Sequence, residues 1–338
     1  MPYVCPECRG PLAESPSTEG VRGRPSPGEG GGEAGEGSGV RVLACAACGL
    51  HYPVRDGIAD FARGVYYDAF ADGQELPACH LEGLENEVGG TRSRIEGYYL
   101  PLLRRLARRL GLPPGEVRVL DCGCGNGLSV DLLREAGFAA WGNDLSELRK
   151  HQWRERQHRD HLLVADALKL PFPDGFFHAV LSSGVIEHIG VAETGGETYT
   201  VRPLPDRDEQ RVRFLGELLR VQGKGGELWL DFPNGAFPID FWHGTQAGGA
   251  RVHPLDEGFL PTLREVRGYL ARIPGGWRAR PLSPHGRLAC RQVRKHWYGQ
   301  LFYLPAAAFL WSTRLPLLRS LAGGPLNPYL VLAIDRRG

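Results

Sequence analysis

The chain has 338 residues, enough for one large domain plus a small one, and its 42% apolar and 23% charged content is ordinary for a globular protein. A net charge of +1 excludes a global electrostatic argument for nucleic acid, so any basic site has to be local. Four of the eight cysteines form two Cys-x-x-Cys pairs, while Cys79, Cys122, Cys124 and Cys290 show no disulfide framework; together with a start lacking a basic-then-apolar leader, this reads as a reduced, cytoplasmic protein.

Cys5-Pro-Glu-Cys8 and Cys45-Ala-Ala-Cys48 are each followed by a glycine within two residues. Two such knuckles supply four thiolates, which close a tetrahedral structural zinc site. About sixty residues bury little core, so Zn2+ would replace hydrophobic burial as the source of stability. His51 is a spare ligand that a complete four-cysteine set does not need. Glu14 to Gly39 is rich in Gly, Glu, Pro and Ser and is expected to be a disordered loop. Leu50 to Phe61 then predicts a strand, a turn at Asp56-Gly57 and an apolar tail. This segment, with Cys5-x-x-Cys-x-Gly-Pro-Leu, resembles the small zinc-ribbon-like proteins that activate certain methyltransferases. Residues 1–63 are therefore read as a zinc-ribbon module, and 64–94 as a poorly patterned lead-in.

From Arg94 to Leu110 the apolar positions Leu102, Leu103, Leu106 and Leu110 predict one helix face, with Arg104, Arg105, Arg108 and Arg109 on the other. Val117 to Leu120 predicts a buried strand, Gly123, Gly125 and Gly127 a turn, Leu128 to Ala136 a helix, and a second strand ends at Asp144. The turn is not the dinucleotide fingerprint, which needs a glycine where Leu128 stands. An acid before the glycines, Asp121, repels a pyrophosphate but suits a ligand bearing an ammonium and a sulfonium. Asp144 at a strand end suits ribose hydroxyls, with capping of the next helix as the alternative. Asp166 and Ala167 end a third strand, where an acid can accept a hydrogen bond from an adenine amino group. Ala179 to Ser183 is the fourth strand.

The runs Val-Leu-Asp-x-Gly-Cys-Gly-x-Gly (119–127), Gly-x-Asp-Leu-Ser (142–146), Asp-Ala-x-x-Leu-Pro-Phe-Pro-Asp (166–174) and Ser-Ser-Gly-Val-Ile-Glu-His-Ile (182–189) resemble the class I S-adenosylmethionine-dependent methyltransferases. The resemblance covers roughly residues 95–235 and implies an α/β, Rossmann-like fold with a mostly parallel seven-stranded sheet and helices on both faces, in a domain read as 95–338. It implies S-adenosyl-L-methionine as cofactor. Asp121, Gly123, Gly125 and Gly127 would hold its methionine part, Asp144 its ribose, and Asp166 and Ala167 its adenine. Ser183 to His188 would line the floor near the methyl group, with Glu187 and His188 as catalytic candidates. Some related O-methyltransferases bind a metal through Glu-x-x-Glu-His here, but Gly184 stands where the first acid would be.

Residues 190–213 read as a polar insertion, disordered or a lid. Phe237 to His243 is expected on the active-site edge, Thr262 to Leu270 as a capped helix, and Trp277–Ser283 and Pro328–Arg336 as the last two strands. Between these strands, 291–322 is a second insertion. Its stretch from His296 to Thr313 has no Asp, Glu, Lys or Arg and is interrupted by Pro305. It is too short to span a membrane but suits an interfacial hairpin, on the inner face of a membrane or on a lipid-linked acceptor; the rival is burial in the fold or a dimer. The activity expected is methyl transfer to a small-molecule or lipid-linked acceptor. An RNA base methyltransferase using the ribbon for RNA recognition is the alternative enzyme, and a non-catalytic binding protein on the same scaffold the alternative of another class.

Overall fold

The structure, a computed structural model, describes residues 2–16, 41–68, 87–194, 200–244, 250–288 and 297–336. Strands follow in the order β1 (Leu12–Pro16), β2 (Arg41–Cys45), β3 (His51–Arg55), β4 (Ile58–Asp60), β5 (Arg118–Cys122), β6 (Ala139–Asp144), β7 (Leu162–Val164), β8 (Phe177–Ser183), β9 (Val191–Thr194), β10 (Thr200–Pro203), β11 (Gln222–Pro233), β12 (Ile239–Asp240), β13 (Arg251–Val252), β14 (Trp277–Pro281) and β15 (Tyr329–Arg336). The longer helices are α1 (Leu100–Leu110), α2 (Leu128–Glu135), α3 (Glu147–Trp153), α4 (Arg207–Val221), α5 (Leu263–Ala271) and α6 (Trp297–Ser312).

The main sheet runs β1-β2-β3-β4-β7-β6-β5-β8-β11-β15-β14. From β7 to β11 neighbours are parallel, and β15 enters antiparallel between β11 and β14. That is the expected seven-stranded, mostly parallel layer. The four N-terminal strands, expected in a separate module, extend this layer to eleven strands. β4 pairs parallel with β7, aligning Ala59 with Leu163 and Asp60 with Val164. Ile58-Ala59-Asp60 is buried throughout, so β4 is an interior strand of the sheet rather than a ribbon edge. Without it β7 would present unpaired backbone at the sheet edge.

Two apolar layers flank the sheet. One joins Tyr3, Tyr52 and Phe61 of the N-terminal segment to Phe172, Phe177, Phe214 and Phe232. The other packs Ile95, Tyr99, Leu103 and Leu106 against Val119, Val130, Ala140 and Trp229. The helix expected from Arg94 to Leu110 forms, with Leu103 and Leu106 buried and its arginines outward. It begins earlier: residues 87–94 are helical and pass through a π-helical turn, Ile95–Tyr99, into α1.

Several expectations need amending. Glu14 to Pro16 belong to β1, and the rest of the expected loop lies outside the described residues, as do Cys79 and Cys290. The first insertion contributes a hairpin, β9–β10, and the start of α4. β7 stops at Val164, because Asp166 turns back to accept from the Leu168 amide at 2.8 Å. The expected apolar hairpin is one helix, α6, running through Pro305, then a 3-10 stretch, Pro316–Gly323. Among the described residues no helix is long and apolar enough to cross a membrane. The capped α5 forms as read, with Thr262 and Glu265 in a reciprocal capping box.

Candidate functional site

The glycine turn between β5 and α2 is tight for steric reasons. Gly123 has φ +79°, and a β-carbon there would stand 2.2 Å from Val185 Cγ2. Gly127 has φ +75°, with Leu162 Cδ1 at 2.7 Å from the same virtual atom. Side chains at either position would collide and strain the backbone, so the turn needs glycine. Gly123 thereby touches the segment after β8, bringing two strand ends together.

Asp121 is fully buried; its Oδ2 accepts from Arg94 Nη2 at 3.2 Å. Its Oδ1 finds no hydrogen-bond donor among the described residues. Asp144 ends β6 with Oδ2 accepting from the Gly125 amide at 3.0 Å and Oδ1 from the Leu145 amide at 2.8 Å. The helix cap that competed for Asp144 is Ser146, whose Oγ accepts from the Arg149 amide. Burial pushes the Asp144 carboxyl up to about 6, although Arg149 and the two amides oppose the shift. Asp166 and the half-buried Ala167 follow at the end of β7. Asp121, Asp144 and Asp166 thus lie along the carboxyl ends of three neighbouring strands.

The lead-in adds residues that its sequence did not announce. Glu87 accepts from the Asn126 amide at 3.2 Å and pairs with Arg149 at 2.8 Å, setting an acid on the glycine turn. Asp68 accepts from the Glu147 amide at 2.7 Å and from Ser146 Oγ, capping α3. Both sit in a stretch with no periodicity, so no pattern could have found them.

On the other side of β5, Ser183 does not stand alone as a lining residue. Its hydroxyl donates to Asp231 Oδ1 at 2.7 Å, and Arg287 Nη2 donates to both at 2.7 Å. The Tyr99 and Tyr329 hydroxyls also donate to Asp231, which is completely buried. Burial alone would raise the Asp231 carboxyl, but Arg287, Arg94 and the Ser183 hydroxyl hold it below the ordinary range. The pairing draws on residues from 99 to 329 and leaves no local motif.

Glu187 and His188 form a 3-10 turn after β8. Arg211 ties that turn down, donating to the carbonyls of Glu187, Ile189 and Phe259. Glu187 is 1% exposed and its carboxyl is raised chiefly by burial. His243, expected on this edge, stacks edge-on against His188 at 5.2 Å between ring centroids, and both rings meet Phe259.

At the N-terminal pole the four cysteines converge as predicted. Cys5 Sγ lies 3.6 Å from Cys48 Sγ, and Cys8 Sγ 3.4 Å from Cys45 Sγ. One thiol of each lies within 4.8 Å of the others, and His51 is not among them. The two knuckles repeat one geometry: the Arg9 amide donates to Cys5 O and the Gly49 amide to Cys45 O, with φ +63° and +72°. Burial opposes ionisation of Cys5, but Tyr52 and the knuckle amides outweigh it and bring the thiol down to about 6.

This pole grips the segment after Asp166. The Val4 amide donates to Pro171 O at 3.0 Å, Arg9 donates to Leu170 O at 2.7 Å and pairs with Glu217 at 2.8 Å, and Tyr3 packs on Phe172. Glu217 in turn accepts from the Leu170 amide at 2.9 Å.

Residues 120–230 match the family model of a methyltransferase domain, and residues 4–57 that of Trm112p-like protein. The chain is 28% identical over 142 residues to the 18S rRNA (guanine(1575)-N(7))-methyltransferase of Saccharomyces cerevisiae, covering 41% of this chain and 48% of that protein. It is 35% identical over 126 residues to the demethylmenaquinone methyltransferase of Corynebacterium urealyticum, covering 37% of this chain and 45% of that one. Among solved structures, a complex of the Haloferax volcanii Trm112 methyltransferase activator with a methyltransferase aligns at 20% identity and a TM-score of 0.31, over 46% of this chain and 59% of that chain. The chain spans about half the length of these relatives.

Proposed function

We propose that this chain, a class I methyltransferase fold carrying a Trm112p-like domain, transfers the methyl group of S-adenosylmethionine to an acceptor held beside Glu187 and His188. The observation that carries the reading is the row of acids at adjoining strand ends beside the glycine turn, within the segment that matches the methyltransferase domain. The residues fit the cofactor. The Asp121 oxygen without a donor suits an ammonium, and each Asp144 oxygen keeps a second lone pair for a ribose hydroxyl. The bound cofactor would supply an electrophilic methyl. Asp121 with the turn would orient its amino-acid part, Asp144 its ribose, and Asp166 with Ala167 its adenine. Positioning supplies much of the rate of an in-line displacement. Where the acceptor has a proton to lose, Glu187 and His188 would take it.

Zn2+ in the four-thiolate cluster would fold the N-terminal strands and, through Val4, Arg9 and Tyr3, hold Leu170 to Phe172 beside the adenine end.

The acceptor is small or lipid-linked. This is supported by the enclosed Glu187–His188 turn and by apolar side chains left exposed nearby in sequence to His243 and on the C-terminal insertion: Phe241, Trp242, Leu304, Trp311 and Leu317. The rRNA methyltransferase likeness and the Trm112p-like match favour the second reading, an RNA base. Calorimetry with S-adenosylmethionine tests the enzyme: no binding, or unchanged binding by Asp144→Ala, ends the cofactor assignment. Acceptors separate by measuring RNA binding against salt alongside binding to lipid vesicles. A steep salt slope with RNA and none with vesicles decides for RNA.

A further inference from the structure

Glu187, His188 and His243 each offer one ligand atom, and these atoms lie within 4.8 Å of one another. The first two follow β8, while His243 comes from the segment after β12, more than fifty residues on. No single motif holds all three. Two features show that the meeting is built. Asp240, completely buried, takes His243 Nδ1 at 3.0 Å and is itself fixed by Arg251 Nε at 3.2 Å and by the Trp242 amide at 2.9 Å. A carboxylate on one imidazole nitrogen sets the tautomer and puts the lone pair on the other, the arrangement that orients metal-binding histidines. Independently, Glu187 Oε2 is buried and finds no hydrogen-bond donor among the described residues. A carboxylate so enclosed is costly without a cation or donor.

We infer that Glu187, His188 and His243 form a divalent transition-metal site, with Asp240 as the positioning residue behind His243. Two imidazoles and one carboxylate suit Zn2+, Co2+ or Fe2+ rather than the all-oxygen preference of Mg2+ or Ca2+. Three protein ligands leave a coordination position open, as in catalytic rather than structural sites. A tetrahedral ion with bonds of about 2.0–2.1 Å brings ligand atoms closer than the span seen here, so small side-chain rotations complete the site. The contact of Gly123 with Val185 puts the cluster two residues along from the glycine turn. With an ion bound, Glu187 and His188 would serve as ligands in place of the proton-accepting role given them above, and an acceptor oxygen in the open position would be polarised next to the methyl group. The site itself does not depend on methyl transfer, because metal binding is measured without cofactor.

The test uses the full chain reconstituted with a single equivalent of spectroscopically silent Zn2+, which the four thiolates take first, and then titrated with Co2+. One further equivalent is expected, with ligand-field bands lacking thiolate charge transfer and with shifted imidazole N–H resonances from two histidines in the unaltered chain. His243→Gln and Glu187→Gln should each lose that equivalent, and Asp240→Asn should weaken it about 10- to 100-fold. Near-UV circular dichroism and S-adenosylmethionine calorimetry check that each variant is folded. Uptake of no second equivalent, thiolate bands showing that Co2+ has only exchanged into the cysteine cluster, or a second equivalent unchanged in His243→Gln would overturn the site. A cofactor-binding chain that takes no second metal sinks this inference alone, whereas metal uptake without cofactor binding sinks the methyltransferase reading alone.

Discussion

The two halves of the sheet's carboxyl edge are built on different principles. From β5 outward through β6 and β7, each acid lies within two residues of the carboxyl end of its own strand, and the ribbon covers the last strand. From β8 outward, the site is assembled from pieces far apart in the chain: Ser183 with Asp231 and Arg287, and Glu187 with His243. The first half works by local backbone geometry, and the second by buried charge that only tertiary structure brings together. Breaking each half should therefore fail in a different way.

The largest effect is expected where the ribbon meets the first half. Structural zinc in small domains contributes about 10–16 kcal/mol of apparent binding energy that is also folding energy. With zinc held by the four thiolates as proposed, chelating it or making Cys45→Ser should unfold β1–β4, expose the β7 edge and loosen Leu170 to Phe172. The expected outcome is a lower melting temperature for the whole chain and at least tenfold weaker S-adenosylmethionine binding by calorimetry. An unchanged cofactor affinity would mean that the ribbon is attached to the sheet without supporting the site.

In the second half, Arg287→Ala leaves Asp231 buried without its cation. Removing one partner of a buried pair costs about 3–5 kcal/mol, because the other charge stays in place. Denaturant unfolding should show a loss of that size. The sign of its pH dependence follows from Asp231, whose carboxyl is held below its ordinary range. That stabilisation is present above the unfolded pKa and is lost as pH falls through the folded one. In Arg287→Ala, this part of the acid sensitivity should shrink to what Arg94 and the Ser183 hydroxyl still supply. A loss under about 1 kcal/mol would show that the network can relax or admit water.

What could be read in advance follows the same division. Asp121, Asp144 and the three glycines carry their meaning in spacing, since a strand, a turn and a helix fix them over a few residues. The cysteine pairs were legible for the same reason. Asp231 was only the last polar residue of a strand, and Arg287 only one arginine among many, because their partners lie 42 to 132 residues away. Glu87 and Asp68 were hidden by an acidic segment without periodicity. The union of ribbon and sheet was also missed. Ile58-Ala59-Asp60 is too short to show a period, and its partner Leu163 is specified about a hundred residues later.

A smaller effect tests the first half at its centre. The Asp144 carboxyl is raised to about 6, first by burial. A carboxylate accepts hydroxyl hydrogen bonds better than the neutral acid, and hydrogen bonds to charged groups contribute about 1.5–3 kcal/mol. Affinity for S-adenosylmethionine should therefore fall as pH drops through about 6, and Asp144→Asn should be weaker by roughly 10- to 100-fold at pH 7.5 with a flat profile. For folding alone the sign is opposite. A carboxyl raised in the folded state contributes most when protonated, so its contribution declines as pH rises through the folded value. An affinity that is level from pH 5 to 7.5 in the unaltered chain would remove Asp144 from the ribose position.

The smallest effect concerns the C-terminal insertion beside the second half. Leu317 is 94% exposed and Leu304 72% exposed, whereas Leu310 and Thr313 face inward, with Thr313 Oγ1 at 2.6 Å from Ser283 Oγ. The inner face therefore fixes the segment to the loop after β14, and the outer face contributes little to folding. Leu317→Ser should change stability by no more than about 0.5 kcal/mol, as for other surface positions without special contacts. Thr313→Val, which removes a buried hydroxyl from Ser283, should cost about 1 kcal/mol. If both variants are equally benign, α6 is attached more loosely than its contacts imply. If Leu317→Ser is the costlier, the outer face is covered in solution, and sedimentation at several protein concentrations will show whether a second copy covers it. The predicted ordering, inner face above outer, distinguishes a segment that serves the fold from one whose apolar side chains are left for the acceptor.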